Sequence, residues 1–83
     1  MKNIIYSKRQ EKLRQVLEEN GLDGILITNL TNIKYICGFT GSAASCLVTI
    51  RGNYFITDGR YIEQSKDQVV GFKIFIDIEP HLI

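Results

Sequence analysis

The chain is 83 residues long, 45% hydrophobic and 23% charged, with ten Lys and Arg against nine Asp and Glu. One small domain fits that length, and a net charge of +1 supplies no basic footprint for nucleic acid or for an acidic membrane surface. The apolar runs Gly24 to Ile27 and Cys46 to Val48 fall far short of the roughly 20 residues that span a bilayer; no signal-peptide pattern follows Met1, so a cytoplasmic protein is expected.

Ser7 and Gln10 stand at capping-box spacing, which predicts a helix start at Ser7. Leu13, Val16 and Leu17 then recur at helical spacing, with the intervening charges forming a solvated face. Asn20-Gly21 supplies a left-handed stop, and Leu22 is the residue that folds back. Gly24 to Thr28, uncharged and rich in isoleucine, reads as a short buried strand. Asn29 is placed to cap a second helix carrying Leu30, Ile33, Ile36 and Cys37 on one side, ended by Gly38. After a loop over 39–44, Ser45 to Ile50 and Tyr54 to Thr57 read as two strands turning through Gly52-Asn53. Asp58 is expected to cap a third helix from Gly59 to Val70, with Gly71 as its stop. Phe72 to Ile78 has isoleucine at every second position, the mark of a strand with one aliphatic face.

Short helical crossovers between strands imply parallel neighbours, and the hairpin adds one antiparallel pairing. The expected fold class is therefore α/β, a mixed sheet flanked by helices. Pro80-His81-Leu82-Ile83 follows straight after a strand and ends on two apolar residues, which reads as a fragment cut inside or at the edge of a larger domain. Cys37 and Cys46 are expected as small buried thiols rather than as a disulfide.

Little in this sequence is equipped to break bonds. The single histidine is His81, and Asp58, Glu63 and Asp67 are interleaved with Arg60 and Lys66, the pattern of a solvated helix face rather than of a metal site. Ser42, Ser45 and Cys37 lack the surroundings of an activated nucleophile. Gly38-Phe39-Thr40-Gly41-Ser42 is glycine-rich, but a phosphate loop needs a lysine where Gly41 stands, and a dinucleotide fingerprint needs a third glycine. A free-standing nucleotide-binding domain is therefore not expected.

Three stretches in this order are more specific. Gly24-Ile25-Leu26-Ile27-Thr28-Asn29-Leu30-Thr31-Asn32-Ile33-Lys34-Tyr35-Ile36 runs into Cys37-Gly38-Phe39-Thr40-Gly41-Ser42-Ala43, and Phe55-Ile56-Thr57-Asp58-Gly59-Arg60-Tyr61-Ile62-Glu63-Gln64-Ser65 follows. Together they resemble the N-terminal domain of the creatinase/prolidase/Xaa-Pro aminopeptidase family, from about Arg9 to Ile76. The resemblance implies a ribonuclease-H-like mixed sheet over residues 1–83, with the catalytic "pita-bread" domain outside this sequence. In that domain two divalent metal ions, manganese or cobalt, activate the water that attacks the bond before proline. The chain itself is then expected to be catalytically silent. It would contribute homodimer contacts, a surface for its catalytic C-terminal domain and a wall of the cleft for proline-containing peptides.

The positions matching that role are Phe39, Thr40 and Ser42 in the loop, and Asp58, Arg60 and Tyr61 in the later turn. Each has a plainer reading: Phe39 as core, Asp58 as a helix cap, Arg60 paired with a local carboxylate, Tyr61 as packing. Cys37 and Cys46 stand where relatives more often show threonine and an aliphatic residue. The alternative function is a peptide- or protein-binding module from a non-catalytic member of the same superfamily.

Overall fold

The computed structural model describes residues 2–77. In chain order they form α1 (Lys2–Glu19), β1 (Gly24–Ile27), α2 (Leu30–Cys37), β2 (Ala44–Thr49), β3 (Asn53–Asp58), a 3₁₀ turn (Gly59–Tyr61), α3 (Ile62–Gln68) and β4 (Lys73–Asp77). The strands make one mixed sheet in the order β1-β2-β3-β4. The α/β class holds. Ile78 and the segment Pro80–Ile83, with the histidine, lie outside the described residues.

One crossover differs from expectation. β3 and β4, joined through α3, are parallel, but β1 and β2, joined through α2, are antiparallel. Ile27 pairs with Cys46, so β2 begins beside the end of β1 rather than beside its start. α2 and the loop behind it form an out-and-back excursion with no net travel along the sheet. A helical connection implies a parallel neighbour only when the helix spans the length of the strand.

The register explains the core. Ile27, Cys46, Phe55 and Ile74 lie in one row across all four strands and face the helices. Against that row pack Ile33, Ile36 and Cys37 of α2, Phe39 of the following loop and Leu13 of α1. Asn29 caps α2 by accepting from Asn32 N–H at 3.1 Å, and Gly38 ends it at φ 91°, a left-handed position that favours glycine. Cys37 and Cys46 are free buried thiols. Their mutual hydrogen bond, with burial adding to it, pushes the Cys46 thiol far up, so it stays protonated.

Several boundaries move. α1 begins before Ser7, and no capping box forms there. Tyr6 reaches the backbone at Gly38 and Gln10 turns inward, so packing holds these turns of the helix. The stop at Gly21 is as expected, with Leu22 N–H bonded to Leu17 O at 2.8 Å, though the Leu22 side chain is exposed. The hairpin turns two residues earlier than Gly52-Asn53, about Ile50-Arg51. The Thr49 hydroxyl accepts from Arg51 and Gly52 N–H at 3.1 and 2.9 Å, which leaves Asn53 to open β3. The third helix is split: Asp58 caps a 3₁₀ turn, and α3 stops at Gln68 with Val69 already extended.

β1 is not a buried strand. It is an edge, and Ile25 and Leu26 are exposed. Among the described residues the helical core covers one sheet face only. On the other, Leu26, Leu47 and Tyr54 form one row and Ile56 and Phe75 another, with Leu26, Ile56 and Phe75 exposed. Solitary exposed apolar residues are ordinary, but Leu26, Ile56 and Phe75 together on one face make an apolar patch.

Candidate functional site

The loop between α2 and β2 meets the turn between β3 and α3, which brings the sequence-derived site residues together. Phe39 is the floor. Its side chain is 1% exposed, and its ring lies edge-on to Phe55 and Tyr61 at centroid distances of 4.9 and 5.3 Å. The core reading of Phe39 is the one the structure adopts, and its ring presents nothing to the surface. Gly41 has no space for a side chain, because a Cβ there would collide with the Phe39 ring and with Tyr61.

Above that floor the polar groups interlock. The Tyr61 hydroxyl accepts from Ser42 N–H at 3.1 Å and lies 2.6 Å from Ser42 Oγ. Those hydrogen bonds hold the phenol below its ordinary range. Thr40 N–H donates to Gln68 Oε1 at 2.9 Å, while Gln64 and Gln68 both donate to Thr40 Oγ1. Gln64 and Gln68 were not singled out from sequence; their spacing of four on one helix face was the available signal. At the loop's far end the Thr57 hydroxyl donates to Ala43 O at 2.6 Å.

Asp58 and Arg60 satisfy each other. Asp58 Oδ1 accepts from Arg60 N–H and Nε at 3.0 Å each, and Oδ2 accepts from Nη2 at 2.7 Å. Cap and local ion pair are thus the same contact. The guanidinium holds the carboxyl below the usual carboxylate range. A depressed carboxylate contributes stability above its unfolded pKa and loses it as pH falls through the folded one. Asp58→Asn is therefore expected to melt lower than the parent at neutral pH and to converge with it in acid below that range. Thermal melts across pH check this. The pair is exposed, so salt should shrink the difference.

The arrangement is a rigid hydrogen-bonding rim over an aromatic floor. Among the described residues no three His, Cys, Asp or Glu side chains gather in metal-binding reach. No described helix is long and apolar enough to cross a membrane.

By its element order and sheet, the chain is a small α/β domain with one mixed four-stranded sheet. The family model described as the Creatinase/Prolidase N-terminal domain matches residues 9–80, and the chain belongs to that family. It is 52% identical over 64 residues to the Bacillus subtilis peptidase YqhT, covering 77% of this chain and 18% of that one. The Xaa-Pro dipeptidase of Bacillus anthracis superposes with a TM-score of 0.83 at 39% identity, covering 89% of this chain and 21% of that one. The N-terminal domain of the cytoplasmic peptidase PepQ from Mycobacterium tuberculosis gives 0.80 at 36% identity, covering 84% and 55%. The chain thus spans less than a fifth of the curated peptidase and little more than half of a solved N-terminal domain.

Proposed function

We propose that this chain is the non-catalytic N-terminal domain of a proline-specific metallo-aminopeptidase or dipeptidase of the cytoplasm. Hydrolysis of the Xaa-Pro bond belongs to a separate pita-bread domain carrying two divalent metal ions, manganese or cobalt. The domain's share is to contribute homodimer contacts and to wall the peptide cleft. The observation that carries this reading is the preorganised rim of Thr40, Ser42 and Tyr61, in which Gln64 and Gln68 of α3 hold Thr40 and Ser42 and Tyr61 hold each other over a buried floor. A rim held in one geometry positions a peptide without losing entropy on contact. The bare sheet face bearing Ile56 and Phe75 offers a surface on which the rest of a larger protein packs.

The test is a chimera in which this chain replaces the matching segment of the Bacillus anthracis dipeptidase. It is expected to be a dimer and to cleave Xaa-Pro dipeptides with added manganese, while the isolated chain shows no turnover. Tyr61→Phe with Ser42→Ala in the chimera should lower kcat/KM about three- to tenfold, the loss of one or two hydrogen bonds to a positioned group. Turnover by the isolated chain, or a folded chimera indifferent to the rim variants, would refute the assignment.

A further inference from the structure

A second surface, lined by residues other than those of the rim, does not depend on the function proposed for the rim. α1, α2 and β1 enclose an open groove of about 640 Å³. Its floor is aliphatic, made by Leu13, Val16, Ile25, Ile27 and Ile36. Lys8, Arg9 and Lys12 stand along it, and no carboxylate lines it. Arg9 is committed: it donates to Tyr35 O at 2.8 Å and lies 3.9 Å from the Tyr35 ring, wedging α1 against α2. Lys8 and Lys12, one helical turn apart and exposed, make no ion pair among the described residues.

The groove runs beside a free strand edge. Ile50 N–H donates to Asp23 O, so the antiparallel alternation turns the ladder groups of Ile25 and Ile27 toward β2. The N–H and C=O of Gly24 and Leu26 then face outward, where no described strand pairs with them. An unpaired edge beside an apolar groove is the geometry of strand addition, in which main-chain bonds give affinity and alternate side chains give specificity.

We propose that this edge and groove take an extended peptide as a further strand beside β1. Its aliphatic side chains, at alternate positions, enter over Val16, Ile25 and Ile27, and a carboxylate on the same face meets Lys8 and Lys12. Charge selects the occupant: Lys8, Arg9 and Lys12 line the groove with no carboxylate among its walls, which disfavours a basic segment and leaves an acidic one its counter-charges. A mainly aliphatic floor suits valine or isoleucine rather than a sugar or a nucleotide.

The experiment uses the 83-residue chain and a blocked peptide of sequence Glu-Thr-Val-Thr-Val-Thr-Glu, with a control carrying Lys at both ends. Amide shifts are expected at Gly24, Leu26 and Val16 with the acidic peptide, and hydrogen exchange at Leu26 N–H is expected to slow. The double variant Lys8→Glu, Lys12→Glu should weaken the acidic peptide about tenfold and reverse the preference between the two peptides. Both lysines are exposed, so an unchanged melt shows that this variant folds. Equal binding of the two peptides, or shifts confined to Ile56 and Phe75, would overturn the proposal. So would concentration-dependent shifts at Leu26 without peptide, which would mean that a second copy takes the edge.

Discussion

Phe39→Ala is expected to cost about 3–5 kcal/mol, the range for removing a buried aromatic ring. A domain of this size has only about 4–12 kcal/mol to lose. The ring is 1% exposed and sits between Phe55 and Tyr61, so its removal opens a void at the junction of sheet, loop and α3. Gly41 is shaped around the same ring, and the Ser42–Tyr61 bond sits over it, so the rim should loosen with the core. A denaturant melt measures the loss, and faster exchange at Ser42 N–H reports the loop. Wild-type stability in the variant would mean that the ring is a surface contact after all, and the floor described above would not exist.

Gln10→Leu is expected to destabilise by about 2–4 kcal/mol and to lower the melting temperature by roughly 10–20 °C. Gln10 is 4% exposed although it sits on a helix otherwise rich in charge. Its Nε2 donates to Ile36 O at 2.9 Å and to Val70 O at 2.7 Å, which ties α1 to the end of α2 and to the approach to β4. Leucine matches its volume closely but leaves both carbonyls without that donor, and a buried acceptor stripped of its partner is costlier than the bond was worth. Gln10→Glu is the informative companion: it preserves shape but offers acceptors to two carbonyls, so it should be at least as damaging near neutral pH. Thermal melts of both variants decide the point.

These two residues mark where the sequence was readable. Signals carried by one residue and its near neighbours were legible: the Asn29 cap, the left-handed Gly38, the Asp58 cap, and the stop at Gly21. The period-two isoleucines gave β4, and the ordered motifs gave the family. Properties set by distant partners were not legible. Gln10 looked like half of a capping box because its true partners lie 26 and 60 residues away. β1 looked buried because its composition is apolar, yet burial depends on its place in the sheet, and an edge strand can be just as hydrophobic. The β1–β2 direction depended on where the chain lands after α2, a tertiary outcome. At the candidate site, the sequence brought forward two segments that the structure places together, but could not rank Phe39 below the surface and Tyr61 at it. That ordering follows from the row of Ile27, Cys46, Phe55 and Ile74 on which the loop rests.

The one-sided layering carries a thermodynamic consequence. Among the described residues the sheet is clothed on one side only, so the folding equilibrium responds to anything that binds the other. Any companion that recognises the rows ending at Ile56 and Phe75 binds the native form alone, and mass action then adds its binding free energy to the fold. Stability would then rise with the supply of such a companion, and without one the same side chains are a liability for aggregation.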